Sequence, residues 1–379
     1  MKIVYCINSV SLLGGMEKVT LVKANALAKI PGNEVWIVIT DVIGDPLIPL
    51  EGVHLVNLDV RYYDQNVGFL DLFRKRQLHK KRLTECLNSI MPDIVISTGK
   101  DEKSFIPSLH LKSKPVVVRE MHLAKHYLSI IAENWKWKIL AWGREIYDYH
   151  WKIKGYDCIV LLTEEDRQNN WRGWSNVSVI PNPITATYEK KSNCTAHTAI
   201  AIGRLTEQKD FSALIRIWKK VVERYPDWQL EIWGKGEMEM ALRQQIEELR
   251  LKDKVLLKGF TSETLQKMSL ASMYLLSSKY EGLPLVMVEA MSVGLPAVSY
   301  MCPTGPKDIL DDGKTGFLIP NGNEDAFVEK VCKLIEDEEL RQKMGQKALK
   351  ESEKYRIERI IQRWMELFQQ LLVRKRKTC

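Results

Sequence analysis

Two short motifs in the second half of the chain place cations, carboxylates and glycines just after apolar runs that predict strands. The first is Gly203-Arg204 with Lys209 five residues further on. Arginine binds phosphate as a planar fork and lysine binds it as a point charge, so this pair suits a diphosphate. Taken alone the motif is weak evidence, because basic residues on loops are usually just solvated.

The second motif is the loop Glu281-Gly282-Leu283-Pro284, followed by Glu289 within a predicted helix. Pro284 suits the first helical position, and a helix start offers free backbone N–H groups that bind anions. Two carboxylates are poorly suited to phosphate, but they can accept hydrogen bonds from sugar hydroxyls. Together the two motifs predict a site for a sugar attached to a diphosphate, rather than a solvated loop and helix.

The first half carries two weaker candidates. Gly14-Gly15-x-Glu17 follows the first predicted strand, where glycines let a ligand approach the backbone and a helix start can meet a phosphate. It is not the GxGxxG dinucleotide fingerprint. His122 follows a strand ending near Arg119, and the carboxyl ends of parallel strands line binding crevices. This position favours a functional His122 over a surface or core histidine.

Cysteine and histidine spacing predicts neither a metal site nor a disulfide framework. The seven cysteines are scattered without CxxC spacing, and no His/Asp/Glu cluster has metal-ligand spacing. We therefore expect no cofactor and no metal. The N-terminal apolar run is too short for a signal peptide, and no stretch has transmembrane length, so we expect a cytoplasmic protein.

The net charge of +8 is unevenly distributed along the chain. Basic residues cluster at 74–76, 80–82 and 374–377, and a segment at 135–142 holds three tryptophans and two lysines. A solvated face and core tryptophans are one interpretation. Attraction to an anionic membrane surface, at the inner face of the membrane, is the hypothesis we adopt. No recognisable module accompanies the charge to indicate nucleic-acid binding.

The positions of these motifs depend on short β-branched runs that alternate with helical stretches through the whole chain. Such runs suit strands covered on both faces, and the alternation predicts α/β architecture with parallel sheets. The predicted strands are Lys2–Ile7, Glu34–Thr40, Val53–Leu58, Asp93–Ser97, Pro115–Arg119, Cys158–Thr163, Val177–Ile180, Ala199–Ile202, Gln229–Trp233, Val255–Lys258, Met273–Ser277, Ala297–Tyr300 and Gly316–Ile319.

The chain length suggests two domains, and the best boundary lies at the two prolines of Ile180–Ile184. We place an N-terminal domain at residues 1–183 and a C-terminal domain at residues 184–356. The last segment, 357–379, has apolar residues at helical spacing. It predicts a helix that packs back on the N-terminal domain.

At this point the sequence resembles glycosyltransferase family 4, whose members are retaining enzymes with the GT-B fold. The resemblance rests on Gly-Gly-x-Glu at 14–17, Gly203-Arg204 with Lys209, and Glu281-Gly-x-Pro with Glu289. It also rests on Pro303-x-Gly305-Pro306 and Gly313-x-x-Gly316-Phe317. It implies two facing Rossmann-like domains with a cleft between them, and a metal-independent reaction in that cleft. Residues from about Tyr62 to Trp171 match only in strand spacing.

By this resemblance each motif residue receives a role in a transfer from a nucleotide sugar, for which we favour UDP. Arg204 and Lys209 hold the donor diphosphate, Glu289 holds the ribose, and Phe260 contacts the base. Glu281 contacts the donor sugar together with the backbone of Gly282 and Leu283, and His122 lies near the reacting sugar. The family often places serine and glutamate before this histidine, so Arg119-Glu120-Met121-His122 departs slightly from it.

The resemblance implies transfer of a hexose or N-acetylhexosamine to a glycan or polyprenyl-diphosphate-linked sugar, in cell-surface polysaccharide assembly such as capsule or O-antigen. Gly14, Gly15 and Glu17 would form the loop for the acceptor or its phosphate. The alternatives are a sugar-nucleotide epimerase or phosphorylase of the same architecture, and an inactive sugar-nucleotide-binding protein. A dehydrogenase is disfavoured because the dinucleotide fingerprint is missing after the first strand.

Overall fold

The computed structural model describes residues 1–11, 14–42, 44–62, 69–99, 101–123, 134–147 and 153–378. The chain forms two compact units. Unit 1 comprises Met1–Thr185 with Ile357–Cys379, and unit 2 comprises Ala186–Arg356. Each unit is built on its own parallel sheet.

Unit 1 has seven strands, all paired in parallel. They are β1 (Lys2–Ile7), β2 (Glu34–Ile39), β3 (Val53–Asn57), β4 (Ile94–Ser97), β5 (Val116–Glu120), β6 (Cys158–Leu161) and β7 (Val177–Val179). The sheet order is β3-β2-β1-β4-β5-β6-β7. The order therefore reverses between β1 and β4, which is where ligands bind in open α/β sheets.

Helices cover both faces of this sheet. The described helices are α1 (Gly15–Ala28), α2 (Phe69–Ile90), α3 (Trp135–Tyr147), α4 (Glu164–Asn170) and α12 (Ile357–Thr378). One face packs Tyr5 and Val118 against α1 and α12, and the other packs Val117 against Leu83 and Leu87 of α2. Two short 3-10 helices follow β4, at Glu102–Ser104 and Ile106–Ser108.

Unit 2 has six strands, again all parallel. They are β8 (Thr198–Ile202), β9 (Gln229–Trp233), β10 (Val255–Gly259), β11 (Met273–Leu276), β12 (Ala297–Tyr300) and β13 (Gly316–Ile319). The sheet order is β10-β9-β8-β11-β12-β13. The reversal falls between β8 and β11, at the position equivalent to that in unit 1.

The helices of unit 2 are α5 (Phe211–Arg224), α6 (Glu239–Glu248), α7 (Thr264–Ser269), α8 (Leu285–Ser292), α9 (Pro306–Ile309), α10 (Glu324–Glu336) and α11 (Glu338–Ser352). A 3-10 helix at Glu353–Tyr355 ends the unit. Side-chain caps begin several of them: Asp210 accepts from the Ala213 N–H, Asn323 from Ala326 and Asp337 from Leu340. Each such cap contributes about 1 kcal/mol to helix stability.

The predicted fold class, two Rossmann-like α/β domains with parallel sheets, is confirmed. The strand bounds differ from the predicted ones by two residues or fewer at each end. Helix α8 begins at Leu285, so Pro284 is its N-cap rather than its first residue. The terminal segment 357–378 is a helix that packs on α1 within unit 1.

Candidate functional site

The strongest candidate site lies at the strand-order reversal of unit 2. Strands β8 and β11 are hydrogen-bonded neighbours, so the loops that follow them emerge side by side at the carboxyl edge of the sheet. The loop after β8 carries Gly203, Arg204 and Lys209, and the loop after β11 carries Glu281 and Gly282. The topology thus brings the two strongest sequence motifs to one place.

Lys209 and Glu281 form an ion pair across these two loops. The Lys209 Nζ lies 2.6 Å from Glu281 Oε1, and the side chains are only 13% and 9% exposed. Two further bonds join the loops, because the Gln208 amide and the Lys279 N–H donate to the backbone oxygens of Tyr280 and Gln208. A second ion pair, Lys279 with Glu207, links the same loops at the exposed surface, at 2.8 Å.

A third loop, after β12, fixes the backbone of the glutamate loop. The Glu281 N–H donates to the Pro303 oxygen at 2.8 Å, and the Thr304 N–H donates to the Glu281 oxygen at 3.0 Å. The Thr304 hydroxyl donates to the Gly282 oxygen. At Gly305 a Cβ atom would lie 2.6 Å from Pro284 Cδ, so only glycine allows this approach. The peptide groups of Gly282 and Leu283 are therefore held rigidly.

Glu289 lies in the second turn of α8 and is 8% exposed. The first turn of this helix contains no acidic residue, so its N–H groups and positive dipole end are free of a competing carboxylate. Beneath the site, burial raises the pKa of Tyr274, and the charges of Glu281 and Glu289 raise it further. Both carboxylates are thus close enough to act on the same buried hydroxyl.

Arg204 and Phe260 stand at the outer part of this edge. Arg204 is exposed, and its guanidinium makes no ion pair or hydrogen bond with any residue that the structure describes. Phe260 is 64% exposed and follows β10, which lies two strands from β8. That spacing corresponds to about 10 Å across the sheet.

Sequence reasoning missed the loop after β9, which lies between Phe260 and Arg204 along the edge. At Gly234 a Cβ atom would meet the Gly203 oxygen at 1.8 Å, and at Gly236 one would meet the Leu205 oxygen at 2.3 Å. Hydrogen bonds from Gly203 to Trp233 and from Leu205 to Lys235 join the loops. The available signal was a Gly-x-Gly directly after a predicted strand.

The predicted glycine loop of unit 1 is placed differently from the motifs of unit 2. Gly14 is the N-cap of α1, and Glu17 lies in its first turn, 8% exposed. A Cβ at Gly14 would lie 2.0 Å from a carboxylate oxygen of Glu17. Burial raises the Glu17 pKa, and a hydrogen bond from its own N–H opposes the rise. This carboxylate stands where a phosphate would meet the helix start.

His122 lies just beyond the end of β5, with its side chain 11% exposed. Its Nε2 lies 3.6 Å from Oε1 of Glu120. Burial lowers the pKa of His122 to about 4, so the imidazole is neutral at neutral pH. Glu120 in turn pairs with the buried Lys23 of α1, a residue that sequence reasoning missed. The signal was a lysine four residues from both Val19 and Leu27 on the buried face of the helix.

The basic and aromatic segments of unit 1 lie at its surface. In α3 the tryptophans Trp135, Trp137 and Trp142 are 67%, 61% and 59% exposed, so they do not fill the core. Of the six basic residues on α2, four contact other residues of the protein. Lys75 donates to the Arg61 oxygen, Arg76 to the Ser104 hydroxyl and Arg82 to the Leu58 oxygen. Arg74 pairs at the surface with Asp71 at 3.9 Å, and Lys80 and Lys81 are exposed.

In the ranges that the structure covers, no group of three His, Cys, Asp or Glu side chains is arranged to hold a metal ion. Likewise, none of the described helices has the length and apolarity needed to cross a bilayer.

Comparisons with known proteins agree with this geometry. The family model of the glycosyl transferases group 1 matches residues 187–351, within unit 2. An uncharacterized glycosyltransferase of Haemophilus influenzae is 30% identical over 370 residues, covering 96% of this chain and 98% of that protein. The amylovoran biosynthesis glycosyltransferase AmsD of Erwinia amylovora is 30% identical over 218 residues, covering 55% and 61%.

A solved structure of a mutant of S. aureus TarM, in complex with fondaparinux, α-GlcNAc-glycerol and UDP, has the same fold. It aligns with a TM-score of 0.75 and 16% sequence identity, over 97% of this chain and 99% of that one.

Proposed function

This chain belongs to the glycosyl transferases group 1 family, and from that premise we propose that it is a retaining enzyme with a UDP-sugar donor. It moves a hexose or N-acetylhexosamine to a hydroxyl of a polysaccharide or polyprenyl-diphosphate-linked acceptor. The proposed setting is cell-surface polysaccharide biosynthesis, as in capsule or O-antigen assembly. The likeness to an amylovoran biosynthesis enzyme and to a UDP-bound structure supports this proposal.

The observation that carries the proposal is the meeting of two loops at the strand-order reversal of unit 2. Lys209 and Glu281 pair at 2.6 Å there, next to the exposed Arg204. The start of α8 adds backbone N–H groups and a positive dipole end to the same edge. A diphosphate needs cations and N–H donors, and a sugar needs carboxylates and backbone groups. This edge offers both.

Each side chain at this edge then has a distinct role in our proposal. Arg204 and Lys209 bind the diphosphate, and Glu289 accepts hydrogen bonds from the ribose hydroxyls. Glu281 keeps Lys209 aligned and, with the peptide groups of Gly282 and Leu283, contacts the donor sugar. Phe260 contacts the base.

The proposed mechanism depends on where negative charge develops during sugar transfer. When the bond from the sugar to the diphosphate breaks, negative charge grows on the leaving phosphate. Arg204, Lys209 and the helix start stabilise that charge because they are held in place before the reaction. The sugar becomes oxocarbenium-like, and the acceptor hydroxyl attacks it. No metal is required, because the two cations supply the positive charge that a metal would otherwise bring.

Unit 1 takes the acceptor in this proposal. Gly14, Gly15 and Glu17 form a loop that hydrogen-bonds the acceptor, and His122 acts on the reacting sugar. Glu17 leaves little room for a phosphate at the start of α1, so this loop suits hydroxyl groups.

The test of the proposed function is a panel of nucleotide sugars, screened for protection against thermal unfolding and then for turnover. We expect UDP-sugars to protect, and proton NMR of the product to show the anomeric configuration of the donor. Sugar transfer should require an acceptor. Conversion of the donor to a new sugar nucleotide without any acceptor would instead identify an epimerase, and inversion at the anomeric carbon would contradict the retaining assignment.

We further propose that unit 1 docks on the anionic inner face of a membrane. The exposed tryptophans of α3 suit the interface, because an indole ring is apolar while its N–H can stay hydrated. Each exposed lysine or arginine near such a surface adds about 1 kcal/mol of attraction.

The docking test uses two variants and vesicles with and without anionic lipid. Arg74, Lys80 and Lys81 are changed to glutamate, because the other three basic residues of α2 donate hydrogen bonds to residues outside the helix and their reversal would disturb folding, whereas Arg74 pairs only with the exposed Asp71 of the same helix. The second variant changes Trp135, Trp137 and Trp142 to serine. Both should abolish sedimentation with anionic vesicles at low salt. Undiminished sedimentation of either variant would exclude its residues from the docking face.

A further inference from the structure

A fully buried ion pair lies beneath the loop that carries His122. Lys23 of α1 donates to Glu120, the last residue of β5, and each side chain is 1% exposed. Removing two charges from water offsets most of their attraction, so such a pair adds little stability over apolar residues of similar volume. Stability alone therefore does not account for the pair.

Two aromatic rings hold the ammonium group of Lys23 in place. Its Nζ lies 4.9 Å from the ring centre of Trp364 in α12 and 5.8 Å from that of Tyr5 in β1. Both rings are fully buried. Since α12 packs on α1, the last helix of the chain completes the enclosure of this lysine. The ammonium therefore has a fixed position from which to orient Glu120.

Glu120 is in turn placed against the imidazole of His122. The Met121 N–H donates to the Val160 oxygen at 2.9 Å and so fixes the backbone between them. Glu120 Oε1 lies 3.6 Å from His122 Nε2. Within the described part of the chain, Glu120 Oε2 and His122 Nε2 are buried without a hydrogen-bond partner. Catalytic hydrogen bonds are often long in a free enzyme and shorten when the substrate binds.

The charge states of the three groups determine which nitrogen carries the proton. Burial raises the pKa of Glu120, but Lys23, His122 and Arg119 outweigh it and hold the pKa below its usual value. Burial lowers the pKa of His122 to about 4; Glu120 opposes this, while Lys23 and Arg119 reinforce it. A carboxylate only accepts, and a neutral imidazole has one donor and one acceptor nitrogen. The nitrogen that faces Glu120 is therefore the donor.

We propose that Glu120, held by Lys23, is a positioning residue that keeps the proton of His122 on Nε2 and so presents Nδ1 as an acceptor for a sugar hydroxyl. This inference rests on the proposed function, in which His122 acts on the reacting sugar. It assigns the ligand group as an O–H donor rather than an anionic oxygen, because an unprotonated nitrogen repels the latter. Lys23, Glu120 and His122 thus form a chain from the core to the substrate.

The direct test is the tautomer of His122, read from ring nitrogen shifts in protein labelled with 15N-histidine. A His122→Gln spectrum assigns the signal among the seven histidines. Wild type should show Nε2 protonated. In Glu120→Gln the amide oxygen stays with the Lys23 ammonium, and a neutral oxygen accepts more weakly than a carboxylate, so the fraction of His122 protonated on Nε2 should fall. An unchanged tautomer in the folded Glu120→Gln protein would overturn the inference.

A second variant covers the outcome in which Glu120→Gln does not fold, because that change leaves the Lys23 charge buried alone. Lys23→Met with Glu120→Gln removes both charges, and the methionine stem fits between the two rings. It should fold and show the same shift of the proton away from Nε2. A folded double variant that keeps the proton on Nε2 would equally overturn the inference.

Turnover separates this inference from the proposed function. Glu120→Gln should lower kcat by about 10- to 100-fold, the usual effect of losing an orienting partner, with little change in the KM of the donor. Asp166→Asn in α4, another buried carboxylate of unit 1, is the matched control and should keep wild-type kcat. If His122→Ala keeps full activity, the role of His122 in the proposed function is wrong. If only Glu120→Gln keeps it, the positioning role alone is wrong.

Discussion

The two units reverse strand order at the same point of their sheets, yet they place different chemical groups at that edge. In unit 2 the exposed Arg204 and the paired Lys209 lie at the same sheet edge as the start of α8, whose first turn has no acidic residue. In unit 1 the first turn of α1, which follows the first strand, holds a buried carboxylate, Glu17, while Glu102 and Glu120, near the ends of β4 and β5, are paired with Arg119 and Lys23. One fold therefore supplies two chemically different sites.

The difference shows that sheet topology determines where a ligand binds, whereas the side chains at that place determine which ligand binds. In our proposal a diphosphate binds at the edge of unit 2, where Arg204 is exposed, and not at the start of α1, where Glu17 would repel it. Sugar hydroxyls, which donate hydrogen bonds, suit the edge of unit 1. A measurement that found a phosphate bound at Glu17, or none bound at Arg204, would contradict this difference between the two units.

The largest effect should come from Lys209→Met, which removes a cation and leaves Glu281 unpaired next to the diphosphate. Truncating one partner of a buried charge pair costs about 2–5 kcal/mol of binding, so the Kd for UDP should rise at least about 30-fold. Lys279→Met is the matched control, because its pair with Glu207 joins the same loops at the surface. The control should change affinity by less than about 1 kcal/mol. Equal losses in the two variants, measured by calorimetry, would place the diphosphate elsewhere.

The second-largest effect should be a difference between the two units in how their stability against unfolding depends on pH. Burial lowers the pKa of His79 in unit 1 to about 4, whereas His197 of unit 2 has an exposed side chain. His79 therefore binds a proton more tightly in the unfolded chain than in the folded one. Its contribution to stability is fully present above pH 6.5 and is lost as the pH falls towards 4. The loss approaches about 3 kcal/mol for His79. Hydrogen exchange should therefore show sheet β1–β7 losing protection before sheet β8–β13. If both sheets lost protection at the same pH, the prediction would be wrong. It would also be wrong if the difference between the two sheets were as large in His79→Leu as in wild type.

Glu289→Ala should weaken UDP-sugar binding by about 1.5–3 kcal/mol, because a charged acceptor of the ribose hydroxyls is lost. The thermal unfolding temperature should remain close to that of wild type. Glu17→Ala is its counterpart in unit 1, equally buried in the first turns of a helix, and should leave UDP-sugar affinity unchanged. Unchanged affinity in Glu289→Ala would remove this residue from the site.

The smallest expected effect is none at all: turnover should persist in excess EDTA. In our proposal Arg204 and Lys209 supply the positive charge that a metal would otherwise bring to the leaving phosphate. Activity that disappears in chelator and returns with manganese or magnesium would mean that unit 2 binds its diphosphate through a metal.

Much of the fold could be read from the sequence, because parallel strands buried on both faces leave continuous apolar runs. The runs at 2–7 and 297–300 are examples, and both became strands within those bounds. The motif loops after β8 and β11 could be located for the same reason. The two motifs were also predicted to form one site, and the sheet order, with β8 beside β11, explains how their loops meet.

The parts that escaped prediction depend on contacts between residues distant in sequence. Lys23 and Glu120 are 97 positions apart, and only the packing of α1 on the sheet makes them a pair. The pairing of Lys209 with Glu281 spans 72 positions and changes their roles from separate ligand contacts to one coupled unit. The sequence around Gly234 is typical of a turn, but the close approach of Gly234 to Gly203 could not be predicted from it.

The central claim is that unit 2 alone binds the donor diphosphate, and hydrogen exchange with and without saturating UDP tests it directly. We predict protection of the loop 203–210 and of residues 278–292, with no change in residues 14–28 at the start of unit 1. Protection confined to 14–28, or absent from both loops of unit 2, would contradict the account.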